Sequence, residues 1–301
     1  MMLAANHAAT LRLADGRQLS YQQYGLAGGR PVHFFHGFPS SRLLAALVHE
    51  QALRAGVCLI AADRPGFGLS SPAPGRSLLS WADDVVALAD HLGHQRFEVV
   101  GVSCGGAYAL ACAHALPQRI SRLALLAGMG PMDLPQIRRE QMPALKLMFG
   151  LARLQPWLIA PLLALDRKLY RGSPERALKL VAGMLSAPDQ ALLRAEPGLA
   201  AGFIASMAEA YRQGIGAAMA EAALIAGPRG FELQQIRQTV HIHQGAFDRH
   251  VPPAMGRYLA AQLPAARLFE YADEGHLSIM SRRFEASLRA LADLDDPALT
   301  Q

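Results

Sequence analysis

Residues 97–117, FEVVGVSCGGAYALACAHALP, run from β-branched residues straight into an alanine-rich apolar segment, with one serine between glycines at the corner. A strand that turns at once into an apolar helix needs cover on both sides, and a parallel sheet carrying helices on its faces provides it. The rest of the chain repeats the theme. LRLADGRQLSYQQYG (11–25) reads as two strands around Asp15-Gly16, a hairpin signal. PVHFFHG (31–37), VCLIAAD (57–63), RLALLAG (122–128), TVHIHQG (239–245) and ARLFEYA (266–272) are further short apolar runs. Helical spacing fills 41–54, 77–93, 104–116, the region near 253–263 and a last stretch near 278–293. Such alternation predicts an α/β fold with a mostly parallel central sheet and helices on both faces.

One interval breaks the rhythm. Residues 131–236 are rich in Ala, Leu and Met at helical spacing and contain no convincing strand. We read 131–236 as a helical cap inserted into a core made of 1–130 and 237–301. No internal repeat or low-complexity tract is present.

Composition narrows the function classes. With 301 residues and 51% hydrophobic content, the chain has enough material for a large core. Its net charge of +5 invites a nucleic-acid partner, but the basic residues are scattered. The tightest pairs, Arg138–Arg139 and Arg282–Arg283, form no stripe with interleaved aromatics, so a solvated surface is the expectation and no nucleic acid is expected to bind. Cys58, Cys104 and Cys112 lie in apolar segments without metal-ligand spacing, which suits free thiols in a reducing, cytoplasmic setting. The opening residues lack a basic stretch followed by an apolar one, so no secretory leader is expected. The most apolar window, 147–166, is interrupted by Arg153, Gln155, Pro156 and Pro161. That argues against a spanning helix and leaves an apolar lid or a membrane-touching face. Self-association is left open.

Gly101-Val102-Ser103-Cys104-Gly105 fits G-x-S-x-G, a sharp strand-to-helix turn that presents a serine oxygen. The glycines suit a strained corner, where side chains two residues to either side would collide with neighbouring elements. The helix that follows aims its first N–H groups at the site, favouring negative charge there. With His36-Gly37-Phe38-Pro39, with Asp63-Arg64-Pro65-Gly66-Phe67-Gly68-Leu69-Ser70, and with the late segments HQGAFDRHVP (243–252) and DEGHLS (273–278), the sequence resembles the α/β-hydrolase superfamily over nearly its whole length. The stretch 131–236 matches only in length and helical character.

In that fold the order along the chain is nucleophile, acid, histidine. His276 lies downstream of any plausible acid, after the last predicted strand, and is the expected base for Ser103. The resemblance assigns the acid to Asp248, with Asp133 in reserve; Glu274 is too close in sequence to His276. His250 reads as a surface-turn residue, His33, His241 and His243 as packing or edge positions, His36 as a loop brace and Asp63 as a loop pin. The resemblance also implies an oxyanion hole from the backbone N–H groups of Phe38 and Cys104. The Cys104 thiol stands one residue off the apex, so it is a poor candidate nucleophile. A serine rather than an aspartate at the apex favours acyl transfer over alkyl-enzyme chemistry.

Met142, Met148, Phe149, Trp157, Met184, Phe203 and Met207 are candidates for an adaptable apolar pocket, with plain packing of cap helices as the competing reading. No metal or nucleotide motif is present, and no cofactor is expected. The expected substrate is a small-to-medium hydrophobic ester or lactone. A C–C bond hydrolase or perhydrolase using the same three residues, and a non-hydrolytic ligand receptor of the same fold, are the alternatives.

Overall fold

A computed structural model describes residues 8–292 of the chain. The N-terminal residues 1–7 of the sequence reading, the end of its last helix and the 293–301 part of its core lie outside the described residues.

Eight strands form one sheet: β1 (Ala9–Arg12), β2 (Gln18–Gly25), β3 (Arg30–Phe35), β4 (Val57–Ala62), β5 (Phe97–Val102), β6 (Ile120–Leu126), β7 (Thr239–Gly245) and β8 (Ala266–Tyr271). Their order across the sheet is β1-β2-β4-β3-β5-β6-β7-β8. β1 and β2 form the expected hairpin, and β2 also runs antiparallel to β4; every other pairing is parallel. Burial explains the composition of the strands. β4 and β5 are buried at every position, β4 as an unbroken apolar run and β5 with Glu98 as its one charged residue, whereas the edge strand β8 has no buried position.

Among the described residues, the α-helices are α1 (His49–Arg54), α2 (Trp81–His91), α3 (Gly105–Ala115), α4 (Pro143–Leu154), α5 (Ala160–Gly172), α6 (Pro174–Met184), α7 (Ala187–Ala195), α8 (Pro197–Ala210), α9 (Gly216–Ala226), α10 (Pro253–Gln262) and α11 (Ser278–Ala292). α3 packs on β5 and β6 beside α2, and α11 packs on β6 and β7 beside α1, so both faces of the sheet are covered. Helices α4–α9 all lie between β6 and β7. The apolar window 147–166 is divided among α4, a 3₁₀ turn (Pro156–Ile159) and α5. No described helix is long and apolar enough to cross a membrane.

The strand order places the site. After β3 the chain moves outward to β4; it then returns across β3 to β5 and moves the other way. Connections therefore diverge between β3 and β5, and such a switch point opens a crevice at the carboxyl ends of the strands. β3 delivers Gly37 and Phe38 there, and β5 delivers Ser103.

Candidate active site

Ser103 stands between β5 and α3 with φ of +55°, a left-handed conformation that costs a non-glycine residue free energy and persists only where neighbours enforce it. Three backbone hydrogen bonds do so. Its N–H donates to the Leu126 carbonyl at 3.0 Å, and its carbonyl accepts from Gly106 N at 3.0 Å and Met129 N at 2.9 Å. The flanking glycines are a matter of space. A Cβ on Gly101 would lie 2.7 Å from the Gly105 carbonyl oxygen, and one on Gly105 would overlap the Phe35 carbonyl. The corner can form only because both positions lack a side chain.

The loops after β7 and β8 bring Asp248 and His276 together, with Asp248 Oδ2 2.8 Å from His276 Nδ1. The other carboxylate oxygen of Asp248 accepts from His250 N at 2.8 Å and Val251 N at 2.9 Å, which fixes the carboxylate plane. Burial disfavours a charged His276, but the carboxylates of Asp248 and Asp189 outweigh it and hold the imidazole above the ordinary histidine range. Ser103 and His276 line the same cavity.

His250 corrects the sequence reading. It is not a surface-turn residue: its ring stacks on His276 at 4.8 Å between centroids and faces the cavity. Burial, with the neighbouring His276, pushes it down to about 4, so it is neutral near neutral pH. Asp133 lies elsewhere, in a separate depression with His114, Arg229 and Phe231. His33, His241 and His243 are buried in the sheet, and Asp63 accepts hydrogen bonds from Arg42 and Leu69 in the loop after β4.

The loop after β3 is held by a buried arginine. Arg64 Nη1 donates to the His36 carbonyl at 2.6 Å, Nη2 donates to the Gly37 carbonyl at 2.8 Å, and Glu221 of α9 receives Nε and Nη2. His36 is fully buried and, through desolvation and the adjacent Arg64, sits well below the usual histidine range. Among the described residues, no backbone carbonyl in the turns and loops takes the N–H of Phe38 or Cys104. Burial pushes the Cys104 thiol far up, and its Sγ faces Met129 Sδ at 3.6 Å, so it is no thiolate.

The cavity holds about 200 Å³ and is walled mainly by apolar side chains. Met142, Met148, Met184, Phe203 and Met207 line it. Trp157 does not: it is 64% exposed on the outer surface. Phe149 is buried behind Phe38, its ring 6.1 Å away, and supports the wall from outside. Helical spacing shows which residues share a face, not what that face meets. Asp166 also lines the cavity; burial raises its carboxyl to about 6.

Residues 30–282 match the family described as alpha/beta hydrolase fold. The chain belongs to the α/β-hydrolase family. One relative, the dihydrolipoyllysine-residue acetyltransferase component of an acetoin cleaving system from Pseudomonas putida, is 39% identical over 116 residues, covering 38% of this chain and 31% of that protein. A non-heme chloroperoxidase from Streptomyces lividans is 33% identical over 130 residues, covering 40% and 45%. The matching stretches span less than half the length of these relatives. An esterase from Thermogutta terrifontis superposes with a TM-score of 0.69 over 95% of this chain and 98% of its own, at 22% identity, a likeness of fold.

Sequence reasoning missed Asp189, Glu221 and the cavity side of His250. Asp189 forms a local Ser186-x-x-Asp189 pattern that reads as a helix start, and nothing in it points to His276.

Proposed function

We propose that this α/β-hydrolase cleaves small-to-medium hydrophobic esters or lactones through an acyl-enzyme on Ser103. The observation that carries the reading is the 2.8 Å Asp248–His276 pair opening on the same apolar cavity as the strained Ser103. His276 takes the Ser103 proton as Oγ attacks the acyl carbon. The oxyanion that forms meets the N–H groups of Phe38 and Cys104, each such donor worth about 3–4 kcal/mol of transition-state stabilisation. Collapse breaks the ester bond, and the leaving alkoxide takes the proton from His276. Water then attacks the acyl carbon while His276 removes its proton, and Ser103 is released. Helices α4–α9 act as the cap of this site, their methionines adapting to the acyl group. The buried free thiols of Cys58, Cys104 and Cys112 support a reducing, cytoplasmic setting.

The test is hydrolysis of a nitrophenyl ester series, acetate to long-chain, by the wild type and Ser103→Ala. Loss of the nucleophile is expected to lower kcat by about 10⁴–10⁶-fold, with wild-type activity peaking at one chain length. Activity that survives the substitution would sink the acyl-enzyme. No ester turnover beside cleavage of a diketone, or beside peroxide-dependent turnover, would move C–C hydrolysis or perhydrolysis to the front. Ligand-induced stabilisation without turnover would favour a receptor.

A further inference from the structure

We infer that Asp189, carried by the inserted helix α7, is a positioning residue for His276, clamping the backbone of the loop that holds the base. The inference rests on the Ser103–His276–Asp248 reading above and adds a residue from another part of the chain.

Asp189 is fully buried. Its Oδ2 accepts from His276 N at 3.0 Å and from Ser186 Oγ at 2.8 Å. Its Oδ1 accepts from Leu277 N at 2.9 Å and Ser278 N at 2.8 Å. Three consecutive N–H groups, from the base itself to the first residue of α11, thus converge on one carboxylate. No lysine or arginine pairs with it among the described residues; the four donors and the N-terminal end of α11 compensate its charge. The approach requires Gly275, because a Cβ there would lie 2.5 Å from both Asp189 oxygens. Ser278 Oγ accepts from Gly275 N at 2.8 Å and closes the loop from the other side.

A buried carboxylate is a costly way to start a helix unless it does more. Asp189 lies 87 positions before His276 and holds the base's own N–H. It also adds a second negative charge near the ring. The groups against His276 are Asp248 and His250 from the loop after β7 and Asp189 from α7, while Ser103 from the β5 corner and Asp166 from α5 line the same cavity. Glu274, on the base's own loop, is paired with Arg282 and Arg283. Asp189 is not among the cavity-lining residues, so its removal reaches the cavity only through the loop it clamps, at His276 and Leu277.

The experiment compares wild type, Ser103→Ala, Asp189→Asn and Ser186→Ala on the best nitrophenyl ester, measuring kcat, KM and the pH dependence of kcat/KM. A loosened base misplaced by an ångström lowers kcat by about 10²-fold in Asp189→Asn, with KM moved far less. The acid limb moves to lower pH, because a charge that favoured the imidazolium is gone. Ser186→Ala, which removes one of the four donors but keeps the carboxylate's charge, lowers kcat less and does not move the acid limb to lower pH. A folded Asp189→Asn with wild-type kcat and acid limb, and only a lower Tm, would show a structural cap and overturn the inference. If Asp189→Asn does not fold, Ser186→Ala decides: wild-type kcat there overturns it equally. A dead Ser103→Ala beside an unaltered Asp189→Asn overturns this inference alone; an active Ser103→Ala removes both readings.

Discussion

On the proposed mechanism His276 has to be neutral to take the Ser103 proton, so the influences on its ring would set the pH range in which the site works. Burial disfavours the imidazolium; Asp248 and Asp189 favour it and prevail, leaving the group above its ordinary 6.5. The base is then protonated, and idle, over a wider acidic range than a free histidine would be. The kcat/KM profile is expected to fall about tenfold per pH unit on the acid side, with a midpoint above 6.5. His250, stacked on the same ring but pushed down to about 4, is neutral throughout and adds no second step near neutrality. A pH–rate profile checks this directly. A midpoint at or below the ordinary histidine value would mean that the two carboxylates do not reach the base as described.

At the scale of elements, helices between β6 and β7 hold the loops of the candidate site as well as lining the cavity. Ser206 of α8 bonds Ser40 Oγ at 2.9 Å and accepts from Ser41 Oγ through its carbonyl at 3.0 Å; Glu209 of α8 receives Arg42, which also binds Asp63. Glu221 of α9 fixes Arg64, whose other donors hold the carbonyls beside Phe38. Glu221→Gln leaves that buried guanidinium short of its partner, and breaking such a pair costs about 3–5 kcal/mol. The expected result is a lower denaturation midpoint together with a lower kcat, measured by urea unfolding and ester turnover. An unchanged midpoint would show that Arg76 or Tyr108, the other groups on Glu221, rearrange to compensate. The strands and the Ser103 corner were legible because apolar runs, turn residues and paired glycines are local signals. The start of α2 was less so. Spacing predicts a helix from 77, but Ser77 and Ser80 exchange backbone-to-hydroxyl hydrogen bonds of 3.0 Å and form a turn, and the helix begins at Trp81. Helical character in 131–236 could be read too. Its contacts could not, since Glu221 meets Arg64 and Asp189 meets His276 across long separations that no local pattern encodes. The same gap misassigned Trp157 and Phe149.

The whole molecule carries an unusual load of buried imidazoles in its sheet and the loop beside it. His33, His241 and His243 are at most 1% exposed, and His36 is fully buried. Burial disfavours the charged ring in each, taking His241 to about 4 and His33 and His243 to about 3, while His36 lies well below its ordinary value. In the unfolded chain each binds a proton near 6.5. Folded-state values below unfolded ones mean that the unfolded chain binds more protons once pH falls under that point. The stability these groups contribute is therefore intact above it and lost as pH drops towards 4 and 3. Each neutral buried histidine removes about 1.4 kcal/mol per pH unit when fully below its unfolded pKa. Four together, at about 5.6 kcal/mol per pH unit, rival the whole stability of an ordinary domain. His276, with its raised value, opposes only above its unfolded 6.5, and Asp166, raised to about 6, opposes below that; His250, pushed down to about 4, adds to the four. The expected outcome is a denaturation midpoint that falls steeply from about pH 7 to 5, with a net uptake of several protons on unfolding. His241 has neither ring nitrogen hydrogen-bonded among the described residues, so His241→Leu removes a buried polar group without stranding a partner. It should raise the midpoint in acid and flatten the slope by one proton. A midpoint level across that range in the wild type would mean that these rings take up protons in place, without the sheet opening.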